Sequence, residues 1–347
     1  MSNHALNLKS TSHRLVGLLS LAGAMAVPAL SQAQVVAGDT AVVQVLVDAG
    51  VINPTTVAVR DGVAFLSEGQ LGRIGQVGGL FRVVTVALDG TGLLNDTVRL
   101  PGNDFFPEGI TLDPVTNDLF VGSIFNGTVV KIPNGSLTAE VFAQAAPTVL
   151  QRGAVGTKVD NINNLLFVCD TNLGADPALP GATLTGLSLV DASVVVTHEF
   201  PGANDFCNDI AFDAAGNLFV TESLTGQVFT VDAANLLTAN SLELFLATPG
   251  IAAVDGGFGA NGLAFASGAL FVANTTVGTI VRFDPAAADV AATETIVDVT
   301  EGDVANTLLS GPDGVLALSE TELLVVENGL FGAGANRLVK LTLDPLQ

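Results

Sequence analysis

Phe106-Pro107-Glu108-Gly109-Ile110-Thr111-Leu112-Asp113, followed by Asn117-Asp118-Leu119-Phe120-Val121-Gly122-Ser123, is a short strand, a turn and a second strand. The chain repeats it. Asn208-Asp209-Ile210-Ala211-Phe212-Asp213 leads into Gly216-Asn217-Leu218-Phe219-Val220-Thr221-Glu222, and Asn261-Gly262-Leu263-Ala264-Phe265-Ala266 into Gly268-Ala269-Leu270-Phe271-Val272-Ala273-Asn274. Asp313-Gly314-Val315-Leu316-Ala317-Leu318 leads into Glu322-Leu323-Leu324-Val325-Val326-Glu327. Two weaker copies, Gly156-Thr157-Lys158-Val159-Asp160 with 165–170 and Thr56-Val57-Ala58-Val59 with 63–68, complete the set.

Aligned on the first strand, one column reads Thr55, Glu108, Val155, Asn208, Asn261, Asp313, at spacings of 53, 47, 53, 53 and 52 residues. A regular period of this size marks a propeller of four-stranded blades. Six copies predict an all-β, six-bladed β-propeller filling about residues 41 to 344. Ala41–Val47 precedes the first copy with no inner strands of its own, while the last copy ends on Arg337–Leu343 and lacks an outer strand. Pairing the two closes the ring and removes two exposed edges. Phe81–Val86, Thr128–Ile132, Gln227–Val231 and Thr279–Phe283 are expected third strands, and Ala139–Phe142 an outer one. The Ala-rich Pro285–Ala292 and the Gly-rich Gly329–Gly334 read as surface loops, and the Asn-Gly pairs at Asn126 and Asn134 as turns.

Residues 1–33 read as a secretory signal peptide: Lys9, His13 and Arg14 precede an apolar run from Leu15 to Leu30, and Ser31-Gln32-Ala33 offers a cleavage site. The rival reading, an uncleaved anchor, is disfavoured by the short run and Pro28. Residues 34–347 are then one domain, exported to the periplasm or outside the cell. With 347 residues, nearly half apolar, the chain can bury a large core, and with no Trp or Tyr that core must be built of Phe, Leu and Val. The net charge of −22 argues against nucleic acid and anionic membranes and fits an acidic, solvated, monomeric protein. Cys169 and Cys207 either pair or remain separate buried thiols.

In a propeller the first strands line the central channel, so Glu108, Asn208, Asn261 and Asp313 would converge on one rim. Carboxylates and amide carbonyls without Cys or His suit a hard divalent cation, calcium before zinc. Taken singly, each is an ordinary turn former. A second column, Glu68, Ser123, Asp170, Glu222, Asn274 and Glu327, lies where each second strand returns to that rim. It is expected either to support the first column or simply to mark strand ends meeting water. The motifs of serine hydrolases, zinc peptidases and nucleotide-binding proteins are missing. Of the three histidines only His198 survives cleavage, in an expected outer strand, which argues against a histidine dyad.

Pro-Glu-Gly at Glu108, Asn-Asp-Ile-Ala-Phe-Asp at Asn208, Asn-Gly-Leu-Ala-Phe at Asn261 and Pro-Asp-Gly-Val at Asp313 resemble the family of senescence marker protein, gluconolactonase and luciferin-regenerating enzyme. The resemblance implies a six-bladed fold and hydrolysis of a small-molecule lactone or ester with a divalent metal in the channel. It implies Glu108, Asn261 and Asp313 as ligands, Asn208 as a further substrate or metal contact, and Asp313 as general base. The chain is permuted relative to the family, with a whole blade before Glu108. Phe206 stands two before Asn208, where the family has a substrate-binding Arg, and this implies a more apolar substrate. The alternative from another class is a non-catalytic exported propeller whose metal is structural and whose rim binds a ligand or protein.

Overall fold

The structure, a computed structural model, describes residues 40–69, 81–102, 104–144, 152–172, 181–329 and 336–344. The leader expected over residues 1–33 and most of the Gly-rich loop lie outside these. Six antiparallel sheets follow one another along the chain, and nearly all the regular structure is β. Their innermost strands are Pro54–Arg60, Pro107–Leu112, Arg152–Asp160, Cys207–Phe212, Ala260–Ala266 and Pro312–Ser319. Each packs against the innermost strands of the blades before and after it, and the sixth packs against the first. The molecule is therefore a six-bladed β-propeller, as the repeat predicts. Third strands Gln227–Val231 and Thr279–Phe283 fall as expected; that of blade 1 runs Arg82–Ala87, one residue later.

The ring closes through the ends of the chain. Thr40–Val47 lies antiparallel to Arg337–Leu343, with Ala41 opposite Leu343 and Val45 opposite Val339. The sequence did not foretell a fifth strand: Asp298–Thr300, from the connection between blades 5 and 6, pairs in parallel with Thr40–Val42. It covers the edge that closure would otherwise leave open.

One irregularity recurs in every blade. Between the first and second strands the register slips, at Pro54/Val57, Pro107/Ile110, Ala154/Thr157, Cys207/Ile210, Ala260/Leu263 and Pro312/Val315. Each slip is a β-bulge in which two residues oppose one, and the first of the two is always the column residue, from Thr55 to Asp313. A bulge re-aims its side chains away from the ladder, which is the local reason this column is set apart from the core positions around it.

The residue after the column is Gly in four blades, and close approach requires it. A Cβ on Gly156 would lie 1.9 Å from the Asn208 carbonyl oxygen, and one on Gly262 2.1 Å from that of Asp313. Between the sheets Phe supplies the bulk. The Phe219 ring meets Phe245 and, in the next blade, Phe265, both at 4.9 Å between centroids. Cys169, opposite the bulge of blade 3, forms a disulfide with Cys207 at the start of blade 4, with Cα atoms 5.2 Å apart.

Candidate functional site

The bulges bring four side chains of the innermost strands into one electrostatic cluster: Glu108, Asp209, Asn261 and Asp313. Burial pushes the Asp313 carboxyl up to about 7; hydrogen bonds from Asn328 and Asn261 restrain the rise and the charge of Asp209 adds to it. Burial likewise lifts Glu108 well above the usual carboxylate range, and the charges of Asp313 and Asp209 push it further. Asp209 rises to about 6 through burial, against the pull of Lys158 and two backbone N–H groups. The charges of Asp209 and Asp313 thus act on Glu108 and that of Asp209 on Asp313, and each of the three carboxyls resists ionisation.

The two column amides are oriented by a device that repeats. The Ser223 hydroxyl donates to the Ala260 carbonyl at 2.6 Å and accepts from Asn208 Nδ2 at 2.9 Å. One blade on, the Thr275 hydroxyl donates to the Pro312 carbonyl at 2.8 Å and accepts from Asn261 Nδ2 at 2.9 Å. A hydroxyl has one proton, and here it is spent on the next blade's backbone, so the side facing the asparagine can only accept. That assigns Nδ2 to the hydroxyl in both cases and turns Oδ1 away. Neither Oδ1 takes a hydrogen bond among the described residues. In blade 6 the equivalent support is Asn328, whose Nδ2 donates to Asp313 Oδ2 at 2.9 Å.

These supports, Ser223, Thr275 and Asn328, sit one residue beyond the second column read from the sequence. The second column has another task. Glu68, Ser123, Glu222, Asn274 and Glu327 are fully buried and do not meet water. They hold the backbone that leads into the first strand: Glu68 accepts from Ile52 N at 3.0 Å, Ser123 from Phe106 N at 3.2 Å and Glu222 from Phe206 N at 3.0 Å. Glu327 accepts from Ser310 N at 2.5 Å, and Asn274 donates to the Gly250 and Ala252 carbonyls. Arg82 and Arg337 neutralise Glu68 and Glu327. Asp170 lies half-buried within the second strand of blade 3, Leu165–Asn172, and the next residue, Thr171, donates to the Cys207 carbonyl at 3.1 Å. The side chains that touch Asn208, Asn261 and Asp313 thus lie one position beyond the second column, just past the ends of the second strands.

Asp209 and Lys158 were passed over in the sequence. Asp209 Oδ1 accepts from Ile210 N at 2.8 Å and Oδ2 reaches across to Leu263 N at 3.2 Å, bracing the bulge that carries Asn261. Its signal was available: it stands where four other blades have Gly. Phe206 packs edge-on against Phe258 with centroids 5.4 Å apart and is nearly buried. It belongs to the core, so the apolar substrate expected from it loses its basis. His198 is fully buried in its outer strand, its ring between the Leu236 carbonyl and Ser241 N.

Among the described residues no group of three or more His, Cys, Asp or Glu side chains is placed to hold a metal. A cation here would depend on the amides: carboxylates from Glu108 and Asp313 with Oδ1 of Asn208 and Asn261. The donor set fits a hard divalent ion, since it is all oxygen, carries two charges, and leaves both amide oxygens without a donor among the described residues.

No protein-family model matches the chain, and comparison with curated proteins finds no match. Solved structures do resemble it. A calcium-binding protein, regucalcin, from Agrobacterium tumefaciens superposes with a TM-score of 0.62 at 12% identity, over 86% of this chain and 92% of that one. Luciferin-regenerating enzyme gives 0.61 at 15% identity, over 87% and 95%. Virginiamycin B lyase from Staphylococcus aureus, with quinupristin, gives 0.58 at 13%, over 88% and 100%. At these identities the likeness is one of fold.

Proposed function

We propose that this propeller hydrolyses a lactone or ester with the aid of a divalent cation, most simply calcium, held in the channel by Glu108, Asn208, Asn261 and Asp313. The observation that carries the reading is the set of oriented oxygens: the buried Asp313 and half-buried Glu108 carboxyls, whose ionisation the fold opposes, beside two asparagines whose amide nitrogens are already committed to hydroxyls. Regucalcin, described as calcium-binding, and luciferin-regenerating enzyme share the fold and are consistent with it.

When bound, the cation supplies a Lewis acid toward the acyl carbonyl. The remaining steps fall to the chain. Asn328 and Asn261 hold the Asp313 carboxylate in place, and Asp313 accepts a proton from the attacking water as the new C–O bond forms at the acyl carbon. The acyl–oxygen bond to the alcohol then breaks, and Asp313 returns the proton to the departing alkoxide. Asp209 braces the Asn261 bulge. The chain is read as an exported monomer acting on a small molecule, with neither nucleic acid nor membrane as partner; the Cys169–Cys207 disulfide supports an oxidising compartment.

The test is a panel of lactones and aryl esters offered to the purified protein with and without chelator. Turnover that chelator removes and calcium restores is the expected result. Bound calcium without turnover would replace the hydrolase by a binding module, and neither calcium binding nor turnover would overturn the proposal.

A further inference from the structure

The innermost strands depart from their own repeat at two charged positions, and those two are electrostatic neighbours. The second bulge residue is Thr56, Gly109, Gly156, Asp209, Gly262 and Gly314 along the blades. Two residues further on stand Ala58, Thr111, Lys158, Ala211, Ala264 and Leu316, paired across the sheet with Phe65, Phe120, Phe167, Phe219, Phe271 and Leu324. Lys158 alone brings a charge to that position. Ala serves there in three blades, so neither the strand nor the neighbouring Phe calls for a lysine.

Lys158 is half-buried, and its ammonium group makes no hydrogen bond or ion pair among the described residues. Burial depresses its pKa, and the charge of Asp209 offsets part of that. Asp209 is no close partner: among the described residues no ion pair joins it to Lys158, and its oxygens accept instead from Ile210 N and Leu263 N. Its three N–H donors therefore have no acceptor from the protein among the described residues, while the half-buried side chain stays open to solvent, so a ligand entering the channel can supply the acceptor. Arg60 does not compete for the role. It ends its strand away from the column, its guanidinium 4.5 Å over the Phe65 ring and donating to the Asn117 carbonyl.

We propose that Lys158 is a ligand-binding residue that receives a carboxylate, so that the channel takes an ester or lactone carrying an anionic group of its own. The inference rests on the channel being the ligand site and holding the proposed cation, but not on its being catalytic. Charge balance favours it: with a divalent cation in place, Lys158 completes the neutralisation of Glu108, Asp209 and Asp313, and an anion no longer meets an excess of negative charge. A charge-assisted hydrogen bond from the ammonium to the carboxylate supplies the selectivity.

Monomethyl succinate and dimethyl succinate, near-equal in shape and different in charge, are the probes. Their binding is measured by calorimetry at saturating calcium to the wild-type chain, Lys158→Met and Lys158→Arg, with melting temperatures on the same samples. The wild type should bind the monoester at least about 10-fold more tightly, Lys158→Met should lose that preference, and Lys158→Arg should keep most of it. Equal binding of the two probes to the wild type, no binding of either, or a preference that survives in Lys158→Met would overturn the proposal. A lower melting temperature in Lys158→Met with the preference intact would make Lys158 only the counter-charge of Asp209. Binding of the monoester without turnover would leave this inference standing, and the lactone and aryl-ester panel would decide the hydrolase separately.

Discussion

At the residue scale the account turns on Asp313. Asn328 and Asn261 fix its carboxylate, and burial raises its pKa to about 7. Asp313→Asn keeps the shape and one ligand oxygen but removes the base, so turnover should fall by at least about 100-fold while calcium affinity weakens far less. Asp313→Ala should damage both; rate and affinity measured on the same samples decide. The crowded carboxyls also give a pH signature. In the calcium-free folded state Asp313 and Asp209 keep their protons up to about 7 and about 6, whereas the unfolded chain releases them near 4. The native state then binds more protons, so stability falls as pH rises from about 4 to about 7 and levels off above. Calcium reverses this preference by favouring the ionised carboxylates. It should raise the melting temperature more at pH 8 than at pH 5; an equal rise at both would contradict the cluster.

At the element scale the unit of design is the bulge. It frees the column residue from the ladder, and the next blade's backbone packs into the space beside it. Gly262→Ala would put a methyl group 2.1 Å from the Asp313 carbonyl oxygen, and a cost of about 1–3 kcal/mol is expected, read from denaturant unfolding. The column was legible in the sequence because its members share a residue class and a spacing. The bulge was not, since a two-against-one mismatch leaves no mark on either strand alone. For the same reason the support column was placed on Glu222, Asn274 and Glu327 when the side chains that touch the column belong to Ser223, Thr275 and Asn328. Asp209 and Lys158 were legible in principle as breaks in a glycine column and an alanine column. Lys158 was hidden because its blade is one of the two weaker copies; Asp209 stands in a strong copy, beside the column residue Asn208. The disulfide, open in the sequence, closes a separation of 38 residues between blades 3 and 4. Changing both cysteines to serine should cost about 2–4 kcal/mol.

At the scale of the whole molecule the ring closes between the two ends of the chain, as the strand bookkeeping predicted, and Asp298–Thr300 then covers the closing strand. Removing residues 41–47 would bare Arg337–Leu343 and uncover the apolar cluster around Val339 and Leu341. The truncated chain should aggregate and melt earlier; a monomer with unchanged melting temperature would refute the closure. Closure matters to the site because Glu108 and Asp313 come from blades 2 and 6, and only a complete ring fixes one against the other. The most direct measurement of the central claim is a calorimetric calcium titration of the wild-type chain beside Glu108→Gln. The account predicts one site in the wild type and an affinity at least about 10-fold weaker in the variant. Absence of binding by the wild type, or equal binding by both, would contradict it.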